Sequence, residues 1–275
     1  MKKLSLLDTD FISKAHSICS GDGASLIDRV MELPDCSFYC HEQTRVELAR
    51  HDSTAPDWLD DHVQRGMITK YNDEQLIREI TGLYLGFGKT VYSSYLKNAC
   101  DAFDRNYYQD HYSKLDTLDQ FHISDGEYIN TLKELEAKIG EGNNLGEIKA
   151  YVVLQWLNTL NDEPVLYFCS DDRGARNGVL SVEGLSARCI SIPSVFQRLI
   201  AEGVISKDSI KKYMDAAVNY YNEHGQQNLR VIEATPIGRH MRVPCSQVFN
   251  EIISDRFVEM KSGMLKYKED LRSET

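Results

Sequence analysis

The sequence is short of several things, and each shortage excludes something. Only 6 of its 275 residues are Pro and 17 are Gly. That is too few for a collagen-like or low-complexity chain. No apolar run approaches the roughly 18 residues of a membrane-crossing helix, so no membrane partner is expected. The opening Met1-Lys2-Lys3-Leu4-Ser5-Leu6-Leu7-Asp8 has too short an apolar stretch before Asp8 for a secretory signal, which points to the cytoplasm. The seven Cys are odd in number and irregular in spacing, so they read as free thiols rather than a disulfide framework. Cys36-x3-Cys40-His41 lacks the second cluster that structural zinc requires. Basic residues are outnumbered, 31 Lys and Arg against 42 Asp and Glu, giving a formal net charge of −11. A wholly basic duplex-binding surface is thereby excluded, although a local basic rim is not.

What remains is globular. Hydrophobic residues make up 42%, enough for a full core in one elaborated domain or two small ones. Charge is uneven along the chain. Residues 101–147 hold 11 acids and 4 bases, whereas residues 229–275 hold 7 acids and 8 bases.

Apolar runs bounded by turn residues predict strands at 3–7, 37–41, 67–71, 165–169 and 187–192. Helical patterns lie between them, at 11–19, 25–32, 43–51, 56–65, 147–160, 193–203 and 207–223. In the 43–51 helix, Val46, Leu48 and Ala49 are offered to the core. The segment 74–140 reads as helical with interruptions and no strand, its tyrosines more suited to a core than to stacking on bases. Val248, Phe249, Ile252, Ile253, Phe257 and Met260 recur at helical spacing and predict a final amphipathic helix over 246–269. Alternating strands and helices predict an α/β domain around a mainly parallel sheet.

In such sheets, sites lie beyond the carboxyl ends of the strands. Asp8 and Asp10 follow the first strand, Glu47 lies on the helix after the second, Glu147 opens the helix before the fourth, and Asp171 and Asp172 close the fourth. Helix capping accounts for some of these acids, but less well for Glu47, which sits within a helix. Crowded carboxylates repel unless a cation lies between them, and all-oxygen donors suit Mg2+ or Mn2+. Lys149 reads as a solvated helix position, and 238–242, Gly-Arg-His-Met-Arg, as an ordinary surface loop rather than a nucleic-acid rim.

Several short motifs carry a family resemblance. Leu6-Leu7-Asp8-Thr9-Asp10 resembles the opening motif of PIN-domain ribonucleases, and Thr44–Leu48 their second, which ends in Glu-Leu. Leu145-Gly146-Glu147 and Ser170-Asp171-Asp172-Arg173-Gly174-Ala175-Arg176 resemble the third and fourth motifs of a Gly-Glu/Asp-Asp branch of that family. The resemblance implies a PIN-like three-layer nuclease domain over 1–213, with its core at 1–71 and 142–213. A helical insertion at 72–141 and a helical C-terminal extension at 214–275 have no counterpart in the compact family domain. It implies Mg2+ or Mn2+ held by Asp8, Glu47, Glu147 and Asp172, with Asp171 alongside as a catalytic residue. Thr9, Asp10 and Ser170 would support these ligands, and Arg173 and Arg176 would meet substrate phosphate. The implied activity is hydrolysis of RNA to 5′-phosphate and 3′-OH ends, as in bacterial toxin or defence nucleases. The resemblance leaves a homodimer and an inhibitory antitoxin-like protein as partners to test for. The alternatives are a catalytically silent interaction module, or a phosphohydrolase or nuclease acting on small nucleotides or DNA.

Overall fold

Side chains alternate between two faces along five parallel strands: β1 (Lys3–Leu7), β2 (Cys36–His41), β3 (Ile68–Tyr71), β4 (Val165–Cys169) and β5 (Ala187–Ile190). The computed structural model describes residues 3–21, 23–51, 54–139, 144–161 and 164–269. Asp22, Asn143, Asp162 and Glu163, which fall between the expected strands and helices, lie outside the described residues. The strands form one sheet in the order β3-β2-β1-β4-β5. Every neighbouring pair is parallel, so helical crossovers must cover both faces. Leu4, Leu6 and Phe168 enter one apolar core, and Leu7, Phe38 and Cys169 enter the other. The chain therefore has the three-layer α/β architecture expected from its sequence.

On the first face, α1 (Thr9–Ser17), α2 (Leu26–Met31), α4 (Ala55–Gln64), α11 (Ile192–Ala201) and α12 (Lys207–Glu223) pack against the sheet. α3 (Glu42–His51) follows β2 directly. It buries Leu48 but leaves Val46 44% exposed, and Ala49 is exposed as well. Only Leu48 of the three expected core residues serves that role, because one face of so short a helix meets the sheet.

The other face carries α9 (Leu145–Leu160), α10 (Arg173–Ser181) and the insertion. As expected, the insertion is helical among its described residues, with α5 (Asp73–Leu83), α6 (Gly88–Phe103), α7 (Tyr107–His111) and α8 (Asp125–Glu136). It shares one core with α9 and the sheet, joining Leu76, Leu96 and Leu132 to Tyr151, Trp156 and Phe168. Tyr92, Tyr107, Tyr108 and Tyr112 are buried in it.

This cover overturns the solvated reading of Lys149, which is 1% exposed. Its ammonium lies 2.8 Å from Asp73 and is also paired with Glu136. Asp73 further accepts the Tyr92 hydroxyl. The His41 Nδ1 accepts the Gln43 N–H at 3.1 Å, and its Nε2 lies 3.3 Å from Asp73. Burial alone would raise the Asp73 carboxyl; Lys149 and His41 more than reverse this and hold it well below its usual range. The inserted helices wrap α9, and its one cation is matched by two acids.

The C-terminal extension is not purely helical. Besides α12 and α13 (Cys245–Ile253) it contains β6 (Asn228–Ile232), β7 (His240–Pro244), β8 (Phe257–Glu259) and β9 (Leu265–Tyr267). These strands form a second sheet in the order β7-β6-β9-β8. The expected long final helix stops at Ile253, where Asp255 turns to φ +56°. The apolar residues beyond it serve strands instead. Gly263, at φ +73°, makes the turn between β8 and β9 and lies against the Cys189 carbonyl, where a Cβ would stand only 3.0 Å away. The Cys189 N–H donates to the Lys261 carbonyl at 2.8 Å, so this turn covers the β5 edge of the main sheet. Arg198 and Glu259 close the same junction with a two-point ion pair.

Candidate functional site

Strand order reverses between β1 and β4, since β2 and β3 continue to one side and β5 to the other. Chain segments leaving these two strands part there and leave a crevice. Leu7 lies opposite Cys169, and the Asp8 N–H donates to the Cys169 carbonyl at 3.0 Å. Asp8 and Ser170 therefore emerge side by side at the reversal.

Asp8 occupies the N-cap position of α1, yet its side chain makes no capping hydrogen bond. The ordinary reason for an Asp at that position is not in use. The carboxyl is instead buried, with the residue 4% exposed. Burial and the negative charges of Glu147, Asp10 and Glu47 push it well above its usual range, against a hydrogen bond from Ser170. Ser170 is fully buried and its hydroxyl also accepts the Asp172 N–H at 3.2 Å.

Glu47 enters from α3. The Thr9 hydroxyl donates to its Oε2 at 2.8 Å, and Gln43 Nε2 donates to its Oε1 at 3.2 Å. Glu147 lies in the first turn of α9. Burial, then the charges of Glu47, Asp172 and Asp10, push its carboxyl up to about 7, partly offset by its own backbone N–H. Gly146, just before it, presses on the Glu47 carboxylate: a Cβ there would stand 2.6 Å from Oε1. Gly146→Ala is therefore expected to keep the fold, since Ala favours the helix by about 1 kcal/mol over Gly. It should displace the Glu47 carboxylate while Tm holds or rises, which thermal unfolding checks.

The two acids after β4 divide their roles. Asp171 Oδ2 accepts Lys14 Nζ at 3.0 Å and the Tyr221 hydroxyl at 3.1 Å, while its Oδ1 accepts the Ile192 N–H at 3.2 Å. It braces α1, α11 and α12 together. Lys14 also pairs with Asp10 at 3.0 Å, which draws Asp10 into this brace. Asp172 is exposed and caps α10, accepting the Ala175 N–H at 2.8 Å. Its charge acts on Glu147. Lys14 and Tyr221 escaped sequence reasoning. Lys14 stands at the i+4 spacing from Asp10 that favours a helical ion pair, whereas Tyr221 carries no local signal.

The two arginines also separate. Arg173 is exposed at the start of α10. Arg176 is buried, its Nε donating to the Ser262 carbonyl at 3.0 Å and its Nη1 to the Ser170 carbonyl at 2.7 Å. It fastens the C-terminal turn to the end of β4.

Among the described residues, no three carboxylate, imidazole or thiol groups stand close enough to ligate one ion as they are held. The donor chemistry nevertheless fits a hard divalent cation. The groups are all oxygen donors, and Asp8 and Glu147 bear mutual repulsion that a cation relieves. The present partners of Glu47 and Asp172 are neutral donors, Thr9, Gln43 and the Ala175 N–H.

Glu147 gives this cluster a pH signature. It binds a proton more readily folded than unfolded, so its contribution to stability is full below about 4.5 and is withdrawn as pH rises to about 7. Without metal, Tm of the wild type is expected to fall relative to Glu147→Gln between pH 5 and 8. Parallel melting curves in EDTA check this.

Comparison with protein-family models, with curated proteins and with solved structures finds no match.

Proposed function

We propose that this chain is a PIN-like, metal-dependent endoribonuclease that hydrolyses RNA phosphodiester bonds. The observation that supports this reading is the gathering of Asp8, Glu47, Glu147 and Asp172 from four chain segments at the reversal of strand order, with Asp8 buried and not used as a cap. These four carboxylates would hold Mg2+ or Mn2+. When bound, such an ion polarises a phosphoryl oxygen and lowers the pKa of water.

The chain's own residues supply order. Thr9 and Gln43 orient Glu47, and Ser170 orients Asp8. Lys14 and Tyr221 hold Asp171, and through it the β4 edge, in register with α1 and α12. Arg173 offers an exposed guanidinium beside Asp172 for substrate phosphate. Water as nucleophile leaves the 2′-OH out of the reaction, so products carry 5′-phosphate and 3′-OH.

The test is cleavage of labelled single-stranded RNA and DNA with Mn2+ or EDTA, followed by end-group analysis. RNA cutting that needs metal and leaves 5′-phosphate ends is expected. Cutting in EDTA, or 2′,3′-cyclic phosphate products, contradicts the reading. Cutting of DNA alone replaces the substrate class.

A further inference from the structure

A basic concavity in this acidic chain lies beside the carboxylates. A cleft of about 180 Å3 opens between the start of α10 and the second sheet. Arg173 and Arg176 line it from the nuclease side and Arg230 from β6. Among the described residues its one acid is Asp171, whose carboxylate is already occupied by Lys14, Tyr221 and the Ile192 N–H. The cleft is therefore cationic although the chain carries −11. Its floor is apolar, formed by Leu229, Val231 and Val248.

A second observation extends this surface. Arg230 stands directly opposite Arg242 in the antiparallel β6–β7 pair, and both are exposed. Like charges in that relation are unfavourable. Among the described residues, neither has an ion-pair partner, nor does Arg173. Arg176 uses two of its N–H groups on backbone carbonyls, and a guanidinium has five. An anion lying over the ribbon and the cleft mouth would relieve the repulsion and satisfy these donors.

We infer that the C-terminal extension is the substrate-binding element, and that it carries a single RNA strand away from the acidic site. Phosphates lie along Arg173, Arg230 and Arg242, and one base rests on the apolar floor. This rests on the nuclease reading for the identity of the strand. Asp171 and Arg173 line the cleft and flank Asp172 of the acidic site, so a strand with one phosphate at the carboxylates continues directly into the cleft. Cations alone would suit any polyanion, whereas Arg173 and Arg176 beside the apolar Leu229, Val231 and Val248 in one cleft suit a nucleotide.

The test is equilibrium binding of a fluorescent 12-nucleotide single-stranded RNA to the full chain in EDTA, where no cutting occurs. Arg230→Glu is expected to weaken binding by roughly tenfold, and to reduce the slope of log K against log salt by about 0.7. Arg230→Gln should fall between. Lys212→Glu, which lines a separate groove with Arg29 and Ser206, changes the same charge and should bind like the wild type. Tm of Arg230→Glu should hold or rise, because Glu faces Arg242. Wild-type affinity in Arg230→Glu, an equal loss in Lys212→Glu, or no RNA binding by the wild type overturns the inference. Equal binding of single-stranded DNA removes the assignment to RNA. Cutting without an Arg230 effect leaves the nuclease standing and removes the track; Arg230-dependent binding without cutting does the reverse.

Discussion

Replacing Asp8 by Asn is expected to lower metal-dependent cleavage by about a thousandfold while raising Tm. The first effect follows from losing a charged oxygen donor, since several kcal/mol of charge stabilisation go with a bound cation and each 1.36 kcal/mol is a factor of ten in rate. The second follows from burial. Asp8 is 4% exposed and is opposed by the charges of Glu147, Asp10 and Glu47. Asn keeps the shape and can still meet Ser170, but it removes the cost of ionising a buried group among other acids. A gain of about 2 °C or more in EDTA is expected for a chain of this size. Loss of activity together with gain of stability separates a functional carboxylate from a structural one. A structural Asp8 would instead show a falling Tm. Scanning calorimetry and single-turnover cleavage on the same preparation measure both.

Lys149→Met should be among the most destabilising substitutions in the chain. It leaves Asp73 and Glu136 buried without their cation, and breaking a buried pair in this way costs about 3–5 kcal/mol. That is a large part of a typical domain's total stability, about 5–15 kcal/mol. Adding Asp73→Asn and Glu136→Gln to Lys149→Met should recover most of the loss, because the uncompensated charge is then gone. The urea midpoint measures each variant, and a loss below about 1 kcal/mol in Lys149→Met would contradict the account. The pH dependence runs opposite to that of Glu147. Asp73 is held below its usual range, so its contribution is present above about 3.8 and is lost as pH falls through its lowered value. The chain thus has an acid-labile brace under an acid-favoured site.

The sheet was legible in the sequence because its strands are short apolar runs with a local period. The observed bounds of β4 match the expected 165–169, and β1 matches 3–7. The carboxylates were legible for the same local reason: each stands at the end of a strand or in a helix beside one. Long-range relations were not legible. Lys149 looks solvated on its own helix and becomes buried only because α6 and α8 cover it. The resemblance offers Arg176 to phosphate, but its partners are backbone carbonyls at Ser170 and Ser262, the latter 86 residues away. Tyr221 reaches Asp171 across 50 residues. The tail misled because Val248, Phe249, Ile252 and Phe257 fit a helical period, while the break at Asp255 depends on a left-handed backbone that no local pattern announces. Asp171 and Asp172 are adjacent and chemically alike, so only their partners in space separate a brace from a candidate ligand.

The central claim is that the carboxylates at the reversal of strand order form a divalent-cation site, and direct calorimetric titration tests it. Mn2+ titrated into wild type at pH 8 should bind saturably and raise Tm. Mn2+ titrated into Asp8→Asn should give no saturable heat and leave Tm unmoved. Saturable binding that survives in Asp8→Asn, or no binding by the wild type, would contradict the account.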